Sequence, residues 1–523
     1  MKITEKKIGT LTTILCWAMI LFFVCIFFYI NFSITPSFYC TDMYEDVMVS
    51  IEMWKEKTPF PSTWMFGNQT YTVATPTWAA LFYGLTGNAL LSMALASSVM
   101  AVLVLISFDW MVRAVFPRLC DRLVSGVVLI SIMAIFGDRA EAVNGWQLLF
   151  TMCAFYACYA ITAFLAFGCY LREGKTSKAM IALTAVLCFL TGIQSLRQTA
   201  ITILPLMAME LLLFLGRMRR KEKLLTKTFW LTALFTAANL AGVAIGKSLP
   251  IVQQHIYGTV VFANPREYIA NIWNSVKLIA LLFSTGRTRD TVWEVPVLAV
   301  YVVFGVVCVL HYRKDKATML LYLLILSVLS VLGIGTVTAM KMREIYYFML
   351  YPLAACLVAL LFSRSCLKAK TILLGAITAM FFACCWLRVA PETARVYNRK
   401  QDISYRICAD LQEKGITTVY SGWNHSEKIA VASGGDIIAG FWSEEDNPFM
   451  PVTYLCSTKV FHAPAETAAY IFYSQEEADL AIEKAERSGA TMTRIGEYPE
   501  EEIFAYRASI NLMEYYTPSS DDE

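Results

Sequence analysis

Charge is scarce in this chain. Asp, Glu, Lys and Arg make up 16% of its 523 residues, against about 25% in ordinary soluble domains, and that excludes a single soluble domain. Histidine occurs four times, at His255, His311, His425 and His462, with no ligand spacing and no HExxH pair, which argues against a zinc enzyme. No CxxC pair occurs, so zinc ribbons and thioredoxin-like motifs find no support. The 15 cysteines fall mostly inside apolar runs, as Cys16, Cys25, Cys153, Cys158 and Cys188 do, where cysteine behaves as a small hydrophobe. There is no internal repeat, and the low-complexity stretch is confined to the polar, acidic end from Pro518 to Glu523.

What is abundant is apolar surface: 57% of the residues are hydrophobic and 13% aromatic. Continuous runs close to the roughly 20 residues that span a bilayer lie at about 9–32, 88–108, 123–137, 146–171, 178–193, 199–215, 228–246, 292–311, 317–336, 345–362 and 370–387. The fold class that follows is an α-helical polytopic membrane protein with about eleven transmembrane helices. The first run follows Lys2, Lys6 and Lys7, exceeds a signal-peptide core and lacks a small-x-small cleavage site, so it reads as a retained signal anchor.

The charges that do exist are segregated. After Ala390 there are 11 basic and 23 acidic residues, a net charge of −12, whereas the preceding part carries +15. The bases sit in short clusters between apolar runs rather than along a soluble basic stripe, which argues against nucleic acid as a partner. With the N-terminus in the cytoplasm, every predicted inner loop is basic: Arg113/Arg118/Arg122, Arg172/Lys175/Lys178, Arg217 to Lys227, Arg313/Lys314/Lys316 and Arg364/Lys368/Lys370. The short outer loops hold only Arg139, Arg197 and the pair Lys341 and Arg343, as the positive-inside rule requires. Counting 268–284 as a crossing would reverse the later loops, so it is expected to be an interfacial or re-entrant helix.

This parity divides the chain into a membrane part, 1–389, with long outer loops at 33–87 and 247–291, and an extracytoplasmic C-terminal part, 390–523. The latter reads as a small α/β domain. Helices are expected over Ile403–Lys414 and Gln475–Arg487, with strands at Ile416–Tyr420, Ile437–Phe441, Ala468–Tyr473 and Ile503–Tyr506.

The first long loop opens with Phe38-Tyr39-Cys40-Thr41-Asp42-Met43-Tyr44-Glu45-Asp46. A helix over Met43–Trp54 would put Asp42, Glu45 and Asp46 on one face through i, i+3 and i+4 spacing. Beside an apolar surface, partial desolvation raises a carboxyl pKa toward the range of a general base. The bland alternative is a solvated helix start with acids near its positive end. The aromatic and proline-rich stretch Lys57 to Asn68 reads as an ordered loop at the headgroup level. Gly192-Ile193-Gln194-Ser195-Leu196-Arg197-Gln198 interrupts an apolar stretch, and a guanidinium there can hold phosphate oxygens bidentately. Arg287, Arg289, Lys341 and Arg343 offer the same service, unless they meet lipid headgroups or pair structurally, as Arg343 with Glu344. Ala241-Gly242-Val243-Ala244-Ile245-Gly246-Lys247-Ser248 mimics a phosphate loop but ends an apolar helix, without the strand and soluble setting that motif needs.

An anchor helix, an acidic cluster opening the first outer loop, many further helices, outer-face arginines and a soluble C-terminal part together resemble the integral-membrane glycosyltransferases of the GT-C class. The bacterial polyprenyl-phosphate-sugar transferases and protein O-mannosyltransferases are its nearest members in architecture. The tail stretch Leu411 to Tyr420, with Ser433 to Ile438, is similar to C-terminal domains of bacterial members. The resemblance implies a GT-C-like fold, an active-site carboxylate at Asp42, with Glu45 and Asp46 as its competitors, and donor-phosphate contacts from Arg197, Arg287, Arg289, Lys341 and Arg343. It implies as partners a polyprenyl-phosphate-linked sugar, an acceptor in the cell envelope and the lipid bilayer. Some members of the class use a divalent cation and others do not, so the resemblance leaves a metal open. The tight Asp-Glu pair of protein mannosyltransferases and a WWDYG-like signature are both missing. Two other classes stay open: a transporter or flippase of an envelope precursor, which would carry functional charges within its spans, and a non-catalytic membrane scaffold.

Overall fold

A computed structural model describes residues 5–36, 41–67, 69–135, 145–173, 175–249, 251, 261–282, 302, 306, 316–398, 402–422, 425–442 and 448–516. Among these residues seven helices are long and apolar enough to cross a membrane: Glu5–Ser33 (α1), Ala89–Val112, Thr199–Arg219, Lys227–Ser248, Lys316–Val337, Glu344–Arg364 and Leu367–Tyr397. Ala157–Leu171 and Lys178–Gln194 are shorter apolar helices, and Leu119–Ile135 runs up to the edge of the described residues. The chain is a multi-pass membrane protein. The expected run at 292–311 lies outside the described residues apart from Val302 and Val306, which are helical.

One expected crossing is corrected. The stretch 146–171 is not a single helix: Gly145–Leu149 ends, and a buried irregular turn precedes Ala157–Leu171. Met152 and Ala154 in that turn have φ of 55° and 45°. The cause is Asn31 at the end of α1. Its Oδ1 accepts from the Met152 amide at 2.7 Å, and its Nδ2 donates to the Phe150 carbonyl at 3.3 Å and to Ser98 Oγ at 3.2 Å. Irregular backbone at this depth is tolerated where protein groups satisfy it.

Ion pairs show which loops share an end of the bundle. Glu5 Oε1 meets Lys370 Nζ at 2.8 Å and Arg118 Nη1 at 3.2 Å, and Glu173 meets Lys316 at 3.1 Å. Arg172 donates to the Trp110 carbonyl at 2.6 Å and lies over the Trp110 ring. The basic segments around Arg113–Arg118, Arg172, Lys316 and Lys370 therefore gather at the end where α1 begins.

At the other end α1 is followed by the helix Thr41–Glu56 (α2), one turn longer than the expected Met43–Trp54. The C-terminal strands, numbered in chain order with the loop strand Trp64–Met65 as β1, are Thr418–Gly422 (β2), Ile438–Trp442 (β3), Cys456–Ser457 (β4), Ala468–Phe472 (β5), Met492–Tyr498 (β6) and Ile503–Ala508 (β7). Five form one sheet in the order β3-β2-β5-β7-β6, with β2 parallel to β3 and β5, and β7 antiparallel to its neighbours. Helices Ile403–Glu413 and Gln475–Arg487 lie where the sequence puts them. β6 escaped the sequence reading because it is a half-exposed edge strand with a register shift between Arg494 and Gly496, which breaks the period-two pattern.

The tail docks on the first long loop through backbone pairing. β1 and β4 form an antiparallel pair, Trp64 opposite Ser457 and Met65 opposite Cys456, extended by Thr458 N–H to the Thr63 carbonyl at 2.9 Å and Leu455 N–H to the Met65 carbonyl at 2.8 Å. Lys459 reaches the buried Glu52 at 3.0 Å. Trp64 and Phe66 are fully buried. The tail thus packs over the part of this loop that carries Trp64 and Phe66, which the sequence alone offered as headgroup-level aromatics.

The phosphate-loop mimic is helical throughout, inside Lys227–Ser248. A Cβ on Gly242 would fall 2.0 Å from the Phe189 carbonyl oxygen, and one on Gly246 2.4 Å from that of Ile193. These glycines let two helices approach backbone to backbone, the small-xxx-small device of membrane helix pairs.

Candidate active site

α2 begins at Thr41, directly before Asp42, and its first turns carry the acidic face. The structure places Asp42 half-buried and Glu45 and Asp46 buried, at 6% and 2% exposure. Glu45 is held well above its ordinary range first by burial, then by the neighbouring Asp46 and Asp42, against a hydrogen bond from Tyr71 and the pull of Arg197. Asp46 is raised in the same way, by burial first and by Asp42, against hydrogen bonds from Tyr71 and the Cys153 thiol. Glu45 Oε1 and Asp46 Oδ1 are buried without a hydrogen-bond partner. Two carboxyls that burial biases toward their protonated forms thus sit behind one that is half-buried.

Tyr71 connects this face to the break at Gly192–Gln198. It lies within electrostatic reach of Gln69 and Glu45, and Gln69 Oε1 accepts from Arg197 Nη1 and from the Tyr159 hydroxyl, the latter at 3.1 Å. Gln194 fixes the far side: its Nε2 donates to the Tyr159 hydroxyl at 2.9 Å, while its carbonyl oxygens receive the amides of Thr70 and Thr72 at 3.1 and 3.3 Å. The Arg197 guanidinium lies 5.5 Å from the centre of the Tyr156 ring and 5.9 Å from that of Tyr346, an arrangement that stabilises a cation by the quadrupole of each ring.

Tyr346 belongs to the turn Glu344–Tyr347, so the segment carrying Arg343 comes to the same place. Arg343 lies within electrostatic reach of Tyr156. Lys341 is exposed, and among the described residues no contact ties it to the acidic face. Arg287 and Arg289 lie outside the described residues. The structure therefore gathers Asp42, Glu45, Asp46, Arg197 and Arg343 of the expected set.

The sequence reading missed Gln69, Tyr71, Gln194, Tyr156, Tyr159 and Tyr346. Gln194 stood inside the quoted break and was open to notice there. The tyrosines had no spacing signal, being ordinary aromatics among 26. Among the described residues no group of three or more histidine, cysteine or carboxylate side chains is placed to hold a metal ion.

No protein-family model matches the chain, and no curated protein matches it. Solved structures do. ArnT from Cupriavidus metallidurans bound to undecaprenyl phosphate superimposes with a TM-score of 0.58 at 10% identity, over 97% of this chain and 99% of that one. The same protein in its apo state gives 0.57 at 10% identity, over 96% and 98%. Likeness along nearly the full length of both chains shows a GT-C-like fold.

Proposed function

We propose that the chain is a membrane glycosyltransferase that moves a sugar from a polyprenyl-phosphate donor to an acceptor in the cell envelope. The observation that carries this reading is the link from the acidic face of α2 through Tyr71 and Gln69 to Arg197. It brings the helix face that carries Asp42 and the Arg197 guanidinium to one place, and on this reading the first supplies the proton acceptor and the second the phosphate contact. The fold shared with a protein that binds undecaprenyl phosphate supports the lipid class. The clustered basic loops support a cytoplasmic N-terminus, which puts α2 and the C-terminal α/β region outside.

The acceptor hydroxyl attacks the anomeric carbon while its proton passes to Asp42, the least buried of the three acids. The bond from that carbon to the phosphate oxygen breaks, and the lipid phosphate leaves with the electron pair. Arg197, with Arg343 near it, meets the charge gained by the departing phosphate, a preorganised stabilisation of the kind that dominates many rate enhancements. A single displacement inverts the anomeric centre. Glu45 and Asp46, biased toward their protonated forms by burial, limit the negative charge that gathers beside a lipid phosphate.

A transporter or flippase would carry functional charges within its spans, and two of the polar residues found there are engaged in packing. Glu210, a carboxylate in the Thr199–Arg219 span, is bonded to Tyr170 at 2.8 Å and Arg217 at 2.7 Å. Asn239 accepts from Thr199 at 2.6 Å and donates to the Cys188 carbonyl at 3.0 Å. Both are spent on packing. The test is transfer of label from polyprenyl-phosphate sugars by membranes holding the parent or Asp42→Asn. Loss in the variant at unchanged expression is expected, and equal transfer by both would remove Asp42 from the role of base.

A further inference from the structure

The end of the bundle opposite α2 carries a feature that glycosyl transfer does not use. A groove of about 550 Å³ opens between the first turns of α1, the Arg118–Cys120 segment, Phe362 and Lys370. Its walls include the apolar Ile8, Ile14, Leu119 and Phe362, and its charged lining is Lys6, Arg118, Lys370 and Glu5. A Cβ on Gly9 would meet nothing within 4 Å, so the floor of the groove is open at that point.

The charges in it do not balance. Lys370 is 5% exposed, and its ammonium donates to Glu5 Oε1, the same oxygen that receives Arg118. One carboxylate oxygen serves two cations, with Lys6 a third on the rim. Asp121 lies within electrostatic reach of Arg118 and Lys370; even if it is counted as ionised, three cations face two carboxylates. A buried ammonium is costly unless anions compensate it, and the lining leaves a deficit of negative charge.

The surroundings say which anion fits. Leu11, Ile14, Trp17 and Leu21 on α1 are exposed at 50%, 62%, 44% and 57%, an apolar stripe that runs from the groove along a membrane-crossing helix. The volume exceeds that of a phosphate ion, and the apolar walls continue into lipid. We propose that this groove binds an anionic phospholipid of the adjoining leaflet, its phosphate between Arg118, Lys370 and Lys6 and one acyl chain along α1. Basic pockets between membrane helices bind acidic headgroups by this combination, with each basic side chain near the surface contributing on the order of 1 kcal/mol. The site is separate from the acidic face of α2 and stands on the membrane-spanning fold alone.

The test uses the full chain purified in a neutral detergent and titrated with phosphatidylglycerol, phosphatidylcholine or inorganic phosphate, followed by native mass spectrometry and thermal unfolding. Phosphatidylglycerol is expected to bind and raise the unfolding midpoint, phosphatidylcholine to do neither, and the affinity to fall with added salt. Arg118→Gln, at a side chain 58% exposed and so tolerant of change, is expected to weaken phosphatidylglycerol about fivefold. Gly9→Leu, which fills the floor without touching a charge, is expected to abolish the stabilisation while the lipid-free midpoint stays where it was. Equal binding of phosphatidylcholine, full replacement of phosphatidylglycerol by inorganic phosphate, or parental affinity in both variants would each overturn the assignment.

Discussion

Tyr44 on α2 and Ala439 on β3 exchange two hydrogen bonds across 395 residues of sequence: the Tyr44 hydroxyl accepts from the Ala439 amide at 3.1 Å and donates to its carbonyl at 3.3 Å. The hydroxyl acts as one more rung of the sheet and ties the tail to the helix that carries the acidic face.

Removing that rung leaves a buried amide and carbonyl unserved. Tyr44→Phe is expected to lower stability by about 1–3 kcal/mol. Thermal unfolding in detergent will read the loss, and limited proteolysis will find the β1–β4 junction cut sooner than in the parent. A midpoint equal to the parent's would show that the β1–β4 pairing alone holds the tail.

Asp42 and Glu45 are expected to separate in kinetics. Asp42→Asn removes the proton acceptor, and a positioned general base is worth about 10²–10⁴ in rate. Glu45→Gln preserves shape and mimics the protonated form that burial favours, so its transfer rate stays within about tenfold of the parent's on the same scale. Initial rates with labelled lipid-linked sugar decide the order, and a reversed order would move the base to Glu45.

Stability should fall as pH rises. Folded Glu45 and Asp46 hold protons more tightly than at their ordinary values of 4.5 and 3.8. Their contribution is therefore fully present below those values and is lost as pH climbs through the raised folded values. Unfolding midpoints taken from about pH 5 to about pH 9 will show this slope in the parent. In Glu45→Gln/Asp46→Asn, which has no such protons to lose, the curve will be flatter. Parallel curves would mean that both groups titrate normally.

Arg197→Lys keeps the charge but loses the planar fork that reaches Gln69 and sits between two tyrosine rings. On the proposed mechanism it will lower kcat by roughly 10², the scale of losing one preorganised charge contact. Melting should change little, because an ammonium still lies near the rings. An unchanged kcat would place the leaving phosphate elsewhere.

Gly242→Ala is expected to destabilise by about 1–3 kcal/mol or more, since its methyl would lie 2.0 Å from the Phe189 oxygen and must push two helices apart. Gly375→Ala, where a Cβ meets nothing within 4 Å, serves as the matched control and should be neutral or slightly stabilising. Equal melting of the two variants would contradict the close backbone approach.

By itself the sequence determined what local physics can carry. Apolar runs long enough for a bilayer, basic clusters between them, and acids at i, i+3 and i+4 each follow from neighbours in the chain, and they fix the membrane class and the shared face of Asp42, Glu45 and Asp46. Tertiary structure alone decided the rest. Trp64 and Phe66 looked like headgroup anchors until residues nearly 400 positions later covered them. The run 146–171 looked continuous until the side chain of Asn31, far back in the chain, opened it. Tyr71 and Gln69 became the link between Glu45 and Arg197 because folding closed a gap of 128 residues between Gln69 and Arg197. A contact of that span leaves no periodicity in the sequence, since its energy depends on where two distant segments meet rather than on the residues beside either one.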